Sequence, residues 1–235
     1  MRVMIGNPDN TLATGESGGP SGGGGRITAI TPTTANPLRA TVKVGGRAKG
    51  TLSLDLIDEL GLTVGQTWDG KLAERVRRGI ETDKAYRQTM QRLNRRAMSR
   101  HQLDRKLREL GHDAAVAADV LDRLERAGLI DDRALGAAMI RETISRKPAG
   151  PRLLRSKLAQ RGLARKLIDE LLAEVEAGGD PVGQAAELAR QRLARMGDLD
   201  ERTRKRRLWG VLARRGFAPD VIERALAQLG EAADS

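Results

Sequence analysis

The sequence predicts a mainly α-helical protein: three tandem three-helix, helix-turn-helix-like repeats in an elongated array, preceded by a small β-rich unit. Two observations carry this expectation. From Trp68 onward apolar residues recur at three- and four-residue spacing nearly to the end, the period of a helix with one buried face. The pattern Leu-x3-Leu-x3-Gly also occurs three times, as Leu103-Leu107-Gly111, Leu154-Leu158-Gly162 and Leu208-Leu212-Gly216, with 51 and 54 residues between the glycines. Self-similarity at such a period marks a repeat architecture.

In chain order, residues 1–25 hold eight Gly and almost no bulky apolar side chains, so nothing there offsets the entropy of ordering and a disordered tail is expected. A β-rich unit is expected over 26–68. Ile27, Ile30 and Thr31 are followed by Ala40 to Val44, a Gly45-Gly46 pair, and Ala48 to Leu54; β-branched residues flanking a dipeptide that tolerates positive φ read as a hairpin. Leu54, Ile57, Asp58 and Leu60 then form one short helix ended by Gly61.

Three repeats are expected over 69–130, 131–178 and 179–230, with 231–235 as a tail. Each opens on an Ala- and Arg-rich helix, at about 83–98, 132–147 and 181–196. Each continues through a glycine-ended helix into a third one carrying Val116, Val120, Leu121 and Leu124, or Leu167, Ile168, Leu171 and Leu172, or Val221, Ile222, Ala225 and Leu226. Ser99 with Gln102 has the form of a capping box, Asp180-Pro181 pairs an N-cap with a first-turn proline, and Gly150-Pro151 and Ala218-Pro219 also place Pro in a first turn. Gly111, Gly162 and Gly216 stand where a helix ends in a left-handed residue.

The sequence has no Cys, two Trp, one Tyr and one Phe among 235 residues, so the cores must be aliphatic and neither disulfides nor thiolate metal sites are available. No stretch is long and apolar enough for a membrane span and no signal-peptide pattern opens the chain, which leads us to expect a cytoplasmic protein. Lys and Arg number 42 against 31 Asp and Glu. The imbalance lies in the back of the chain: residues 1–70 carry six basic and six acidic groups, leaving 36 against 25 for 71–235. Such asymmetry points to phosphate polyanions or an acidic protein surface. Of the 42 basic residues 33 are Arg, which fits bidentate recognition of carboxylate or phosphate; high genomic GC content has the same effect on composition.

No catalytic constellation is recognisable, and no catalytic residue, metal, cofactor or small-molecule substrate is expected. His101 and His112 read as exposed or capping, and Asp131-Asp132 as helix caps favoured by the macrodipole. Gly22 to Gly25 is linker composition, since no Gly-Lys-Ser/Thr follows. A DNA-reading helix-turn-helix displays Arg, Lys, Asn or Gln on its second helix, whereas here those helices carry Asp119, Asp122 and Glu125; Asp169, Glu170 and Glu174; Asp220 and Glu223. The basic residues lie one helix earlier. Arg105, Arg108, Arg152, Arg155, Lys157, Arg204, Lys205, Arg206, Arg207, Arg214 and Arg215 are the candidate contacts to a filament or to phosphate. Arg105 with Arg108, Arg152 with Arg155, and Arg207 with Arg214 each share a helix face. Either these faces join into a basic stripe, or they pair with local acids, as Arg105 with Glu109. Trp209 either stacks or packs in a core.

Leu124 to Asp132 (LERAGLIDD), Gly150-Pro151-Arg152-Leu153-Leu154 leading into Leu158 and Arg161-Gly162-Leu163, and the three tandem units resemble the RecX regulatory proteins, modulators of the RecA recombinase. The resemblance covers about 26–230, with Ile27-Thr28-Ala29-Ile30 and Gly61-Leu62-x-Val64-Gly65 fitting the family's N-terminal part. Leu135 stands where the family usually has an aromatic residue, and the glycine-rich tail lies outside its pattern. The resemblance implies a non-catalytic regulator of homologous recombination and DNA repair that lodges in the RecA nucleoprotein filament groove and inhibits ATPase, strand exchange and coprotease activities, within the SOS response. Weak, non-specific DNA binding is compatible with the charge. The alternative is a helix-turn-helix transcriptional regulator, against which the acidic second helices argue.

Overall fold

The computed structural model describes residues 25–197 and 199–231. The expected tails over 1–24 and 232–235 lie outside the described residues. The chain divides into two compact units, one ending at Ile80 and one beginning at Glu81.

In the first unit four antiparallel strands, β1 (Gly25–Pro32), β2 (Arg39–Val44), β3 (Arg47–Ser53) and β4 (Thr67–Trp68), lie in the order β3-β2-β1-β4. Gly25, expected as the last residue of the tail, instead pairs with Trp68 in the sheet. The β2–β3 hairpin turns through Gly45 and Gly46, both at positive φ (56° and 79°), as a two-residue primed turn requires. Ser53 caps the short helix α1 (Leu54–Glu59), accepting the N–H of Leu56, and Gly61 ends it at φ 62°. Alternate strand residues Ala40, Val42 and Val44 turn inward onto Ile27, Leu52, Ile57, Leu62 and Trp68.

Helix α2 (Gly70–Leu93) starts well before the expected position near 83. Asp69 accepts the N–H of Leu72 at 2.7 Å, and Leu72 and Val76, one helical turn apart, fall in the core of the first unit. Leu72 and Val76, with Ile80 after them, keep a four-residue apolar period across the charged residues Glu74, Arg75, Arg77 and Arg78, so the period noted from Trp68 onward extends over this segment.

The second unit holds the rest of α2 and eight helices: α3 (Arg100–Glu109), α4 (Ala114–Arg126), α5 (Asp132–Arg146), α6 (Pro151–Gln160), α7 (Arg165–Ala177), α8 (Pro181–Leu193), α9 (Glu201–Arg214) and α10 (Pro219–Glu231). They form three apolar cores, the first two led by aliphatic residues and the third including Phe217. Leu103, Leu107, Val120 and Leu124 lead the first, Leu154, Leu158, Ile168 and Leu171 the second, and Leu208, Leu212, Phe217 and Ile222 the third. Trp209 packs at the edge of the third core, and Leu135, at the position of the missing aromatic, at the edge of the second.

The repeated glycines explain why the pattern recurs. Gly111, Gly162 and Gly216 sit at φ 82°, 79° and 82°. The following N–H in each case returns to the second Leu of the pattern: His112 to Leu107, Leu163 to Leu158 and Phe217 to Leu212, at 3.1, 3.2 and 3.3 Å. Leucine and glycine are thus two parts of one C-cap motif.

Successive repeats join by a second recurring device. At the first junction, Ser99 caps α3 within a complete capping box, while its hydroxyl donates to the carbonyl of Arg161. At the second, Gly150 and Arg152 donate their backbone N–H groups to the carbonyls of Arg215 and Gly216, at 2.8 and 3.2 Å. In both, the start of one repeat's middle helix rests on the glycine turn that ends the next repeat's middle helix.

Candidate functional site

Near the second junction lies a cleft of about 580 Å³ lined by Arg96, Gln102, Met139, Glu142, Thr143, Arg146, Lys147, Lys157, Gln160, Arg161 and Arg215. Six of these are cationic and one is a carboxylate. The C-terminal end of α5 delivers Glu142, Thr143, Arg146 and Lys147, and α6 with its cap delivers Lys157, Gln160 and Arg161. Arg96 and Gln102 come from the first repeat and Arg215 from the third.

Arg215 fixes the floor of this cleft. Its guanidinium donates to the carbonyls of Lys147 and Pro148 at 2.5 and 2.7 Å, which satisfies the backbone beyond α5 and leaves the positive charge without a carboxylate. Burial lowers its pKa from the usual arginine value, though the group remains a cation. Burial, followed by repulsion from Arg192, Arg215 and Arg195, likewise pushes the Lys147 ammonium down. Lys157 donates to the Thr143 hydroxyl at 3.4 Å, and Arg146 is held by Glu142 at 2.6 Å. Among the described residues, Lys147, Lys157, Arg161 and Arg215 have no carboxylate within ion-pair distance.

Of the candidate contacts read from the sequence, Lys157 and Arg215 line this cleft, and the others lie elsewhere on the repeats. Arg105 pairs with Glu109 at 3.5 Å, Arg108 with Asp104 at 3.0 Å, and Arg155 with Asp169. These pairs are half exposed and contribute little to stability. Arg204 donates to the carbonyl of Leu199 at 3.0 Å, and Arg152, Lys205, Arg206, Arg207 and Arg214 are exposed. Sequence reading missed Arg96, Arg146 and Lys147 as site residues; the signal for them is their place at the ends of first helices, one turn before each junction.

Most of the acids of the third helices have partners. Arg100 reaches Asp122 and Glu125 at 2.5 and 2.6 Å, and Arg133 reaches Glu170 and Glu174. Those helices therefore display neutralised carboxylates where a groove reader would display donors. Asp131 caps α5 through the N–H of Ala134, as expected. Asp132 does not cap its own helix: it accepts the backbone N–H of Arg100 at 2.9 Å and ties the first repeat to the second. Burial raises its carboxyl above the ordinary range despite that bond.

Nor is His112 exposed, as expected from its place after a turn; it is buried and hydrogen-bonded to Gln88 at 2.7 Å. His101 is exposed beside Gly162. Among the described residues no group of three or more His, Asp or Glu is placed to hold a metal ion, and no helix is long and apolar enough to cross a membrane.

Three family models match the second unit: RecX first three-helix domain over 85–124, second three-helix domain over 131–172, and third three-helix domain over 180–226. Regulatory protein RecX of Pelodictyon phaeoclathratiforme is 36% identical over 137 residues, spanning 58% of this chain and 83% of the relative. The chain belongs to the RecX family. Regulatory protein RecX of Mycolicibacterium vanbaalenii is 37% identical over 145 residues, spanning 57% of this chain and 78% of that one. Two solved RecX structures share the fold. One, a regulatory protein RecX, has TM-score 0.72 at 23% identity and covers 85% of this chain and 97% of its own; the other, from Lactobacillus salivarius, has TM-score 0.58 at 20% identity and covers 64% and 97%. The RecX matches place a regulatory protein's three-helix domains on the repeats that build the cleft. Arg96 and Gln102 fall within the first domain's match, Met139 to Arg161 within the second's and Arg215 within the third's.

Proposed function

We propose that this RecX-family chain is a non-catalytic, cytoplasmic regulator of homologous recombination that binds the RecA nucleoprotein filament and restrains its ATPase, strand exchange and coprotease activities. Membership of a family of regulatory proteins carries the reading, and the repeat geometry supports it. Three copies of one helical unit, joined through two similar junctions, carry basic residues on each middle helix at regular intervals. On a partner that is itself periodic, several weak contacts of matching spacing add up to a firm attachment.

Within this reading Arg105, Arg108, Arg152, Arg155, Lys157 and the run Arg204 to Arg207 with Arg214 and Arg215 supply contacts to filament carboxylates or phosphates. A protein that prefers one filament state shifts its population without performing chemistry. Direct DNA binding is weak and sequence-independent, because the third helices carry acids among their few basic residues and so present a poor base-reading face. Sedimentation of RecA filaments on single-stranded DNA tests the attachment: the protein pellets with filaments and stays in the supernatant with DNA alone at physiological salt. Equal pelleting with naked DNA would instead favour a DNA-binding regulator.

A further inference from the structure

The cleft where the three repeats meet gathers unpaired cations in a concavity. Several arginines elsewhere are matched to acids, as Arg100 is to Asp122 and Glu125 and Arg133 to Glu170 and Glu174, while the cations Lys205, Arg206 and Arg207 are exposed on α9. Inside the cleft Lys147, Lys157, Arg161 and Arg215 face one another's charge without a carboxylate, and its only acid, Glu142, is taken by Arg146. Like charges gathered in a concavity focus a positive field and favour a compact counter-anion. The volume of about 580 Å³ falls in the range of small-ligand sites, roughly 300–1,000 Å³.

The polar lining narrows the ligand class. Gln102 and Gln160 add amide donors, and Thr143 a hydroxyl. No aromatic side chain lines the cleft, so a base would find no stacking surface. Guanidinium and ammonium groups at this density match phosphate oxygens, which accept bidentate, charge-assisted bonds at closely spaced centres. The carboxylates of an acidic peptide are spread along a less highly charged chain.

We propose that this cleft is a binding site for a short chain of phosphates, either the oligophosphate of a nucleotide or two to three consecutive phosphates of a single nucleic-acid strand. This goes beyond the recombinase reading and needs no recombinase to be tested. Because the lining comes from all three repeats, the bound anion cross-links them. A ligand that binds only the assembled state stabilises it by mass action.

The test titrates the full chain with sodium tripolyphosphate at fixed ionic strength, following heat and thermal midpoint. Saturable one-to-one binding with a raised midpoint is expected. The double variant Lys157→Gln/Arg161→Gln should bind at least tenfold more weakly, whereas Arg190→Gln, which alters a residue paired with Glu187 outside the cleft, should bind as wild type. Should the double variant melt early, Arg96→Gln, on the exposed segment between α2 and α3, carries the same comparison with an expected loss of at least threefold. A thymidine hexanucleotide should compete for the site, and whichever of the two anions binds tighter identifies the source of the phosphates. The proposal is overturned if tripolyphosphate shows no saturable binding, if chloride at matched ionic strength reproduces the stabilisation, if the cleft variants keep wild-type affinity, or if a hexaglutamate peptide binds more tightly than either phosphate ligand.

Discussion

The hydroxyl of Ser99 donates to the carbonyl of Arg161 at 2.5 Å while accepting the N–H of Gln102 at 3.2 Å. One side chain thus caps its own helix and fastens the first repeat to the second. The equivalent bond 51 residues on is made by the backbone of Gly150 to Arg215, so the acceptor is in both cases the residue that caps the next middle helix. The junction, as well as the repeat, is repeated.

Ser99→Ala removes both functions. Loss of an N-cap costs about 1 kcal/mol, and the half-buried carbonyl of Arg161 loses a partner, so a total of roughly 1–3 kcal/mol is expected. Thermal denaturation followed by circular dichroism should show the midpoint falling by several degrees. An unchanged midpoint would remove the hydroxyl from the junction.

Gly111→Ala and Gly216→Ala separate backbone strain from repeat contact. Both residues sit at φ 82°, where a Cβ costs on the order of 1–2 kcal/mol. At Gly111 an added Cβ meets open space, whereas at Gly216 it strikes the backbone and Cβ of Leu153. Gly216→Ala should therefore lower the thermal midpoint clearly more than Gly111→Ala. Equal effects would mean that the second junction opens at little cost.

The buried His112 makes stability depend on pH. Burial, then the charge of Lys84, lowers its pKa below the ordinary histidine value of 6.5. In the unfolded chain this histidine gains a proton as pH falls through about 6.5, while in the folded chain it stays neutral to lower pH, so proton uptake favours unfolding. Its contribution is full above that value and is lost on acidification toward the folded-state pKa. His112→Gln, which removes the titration, should flatten the midpoint-against-pH curve between neutral and mildly acidic pH. A parallel curve in the variant would locate the acid sensitivity elsewhere.

Charge reversal at Arg152 and Arg155 should weaken recombinase inhibition with helicity retained. Arg152 is exposed and Arg155 is held only by a half-exposed pair with Asp169, so stability changes little while a charged contact to the filament is lost. Comparison at matched thermal midpoint is required, since Arg155→Glu also repels Asp169. Superimposable inhibition curves would leave shape and apolar contacts to explain attachment.

The parts legible in the sequence are those in which one local pattern does one physical job. Leu103-Leu107-Gly111 and its two copies specify a buried face and a left-handed stop within nine residues, and Ser99-Gln102 and Asp180-Pro181 specify helix starts. The start of α2 near Gly70 carries the apolar period of Leu72, Val76 and Ile80 but neither a proline nor a capping box to mark it. The role of Asp132 and the burial of His112 depend on residues far along the chain or on another helix, Arg100 and Gln88, which no local pattern reveals. The cleft was legible only in fragments. Lys157 and Arg215 stood out within basic runs, but Arg96, Arg146 and Lys147 join them only through the glycine-mediated junctions that bring residues 96 to 215 together.

The central claim, that this chain restrains a recombinase filament, is met most directly by the ATPase rate of RecA on single-stranded DNA with increasing amounts of the protein. Under the proposed lengthwise attachment, in which one molecule covers more than one protomer, the rate should fall to a low plateau at protein levels well below one per recombinase protomer. A rate that stays unchanged at equimolar protein, under conditions where the filaments are saturated with ATP, would contradict the account.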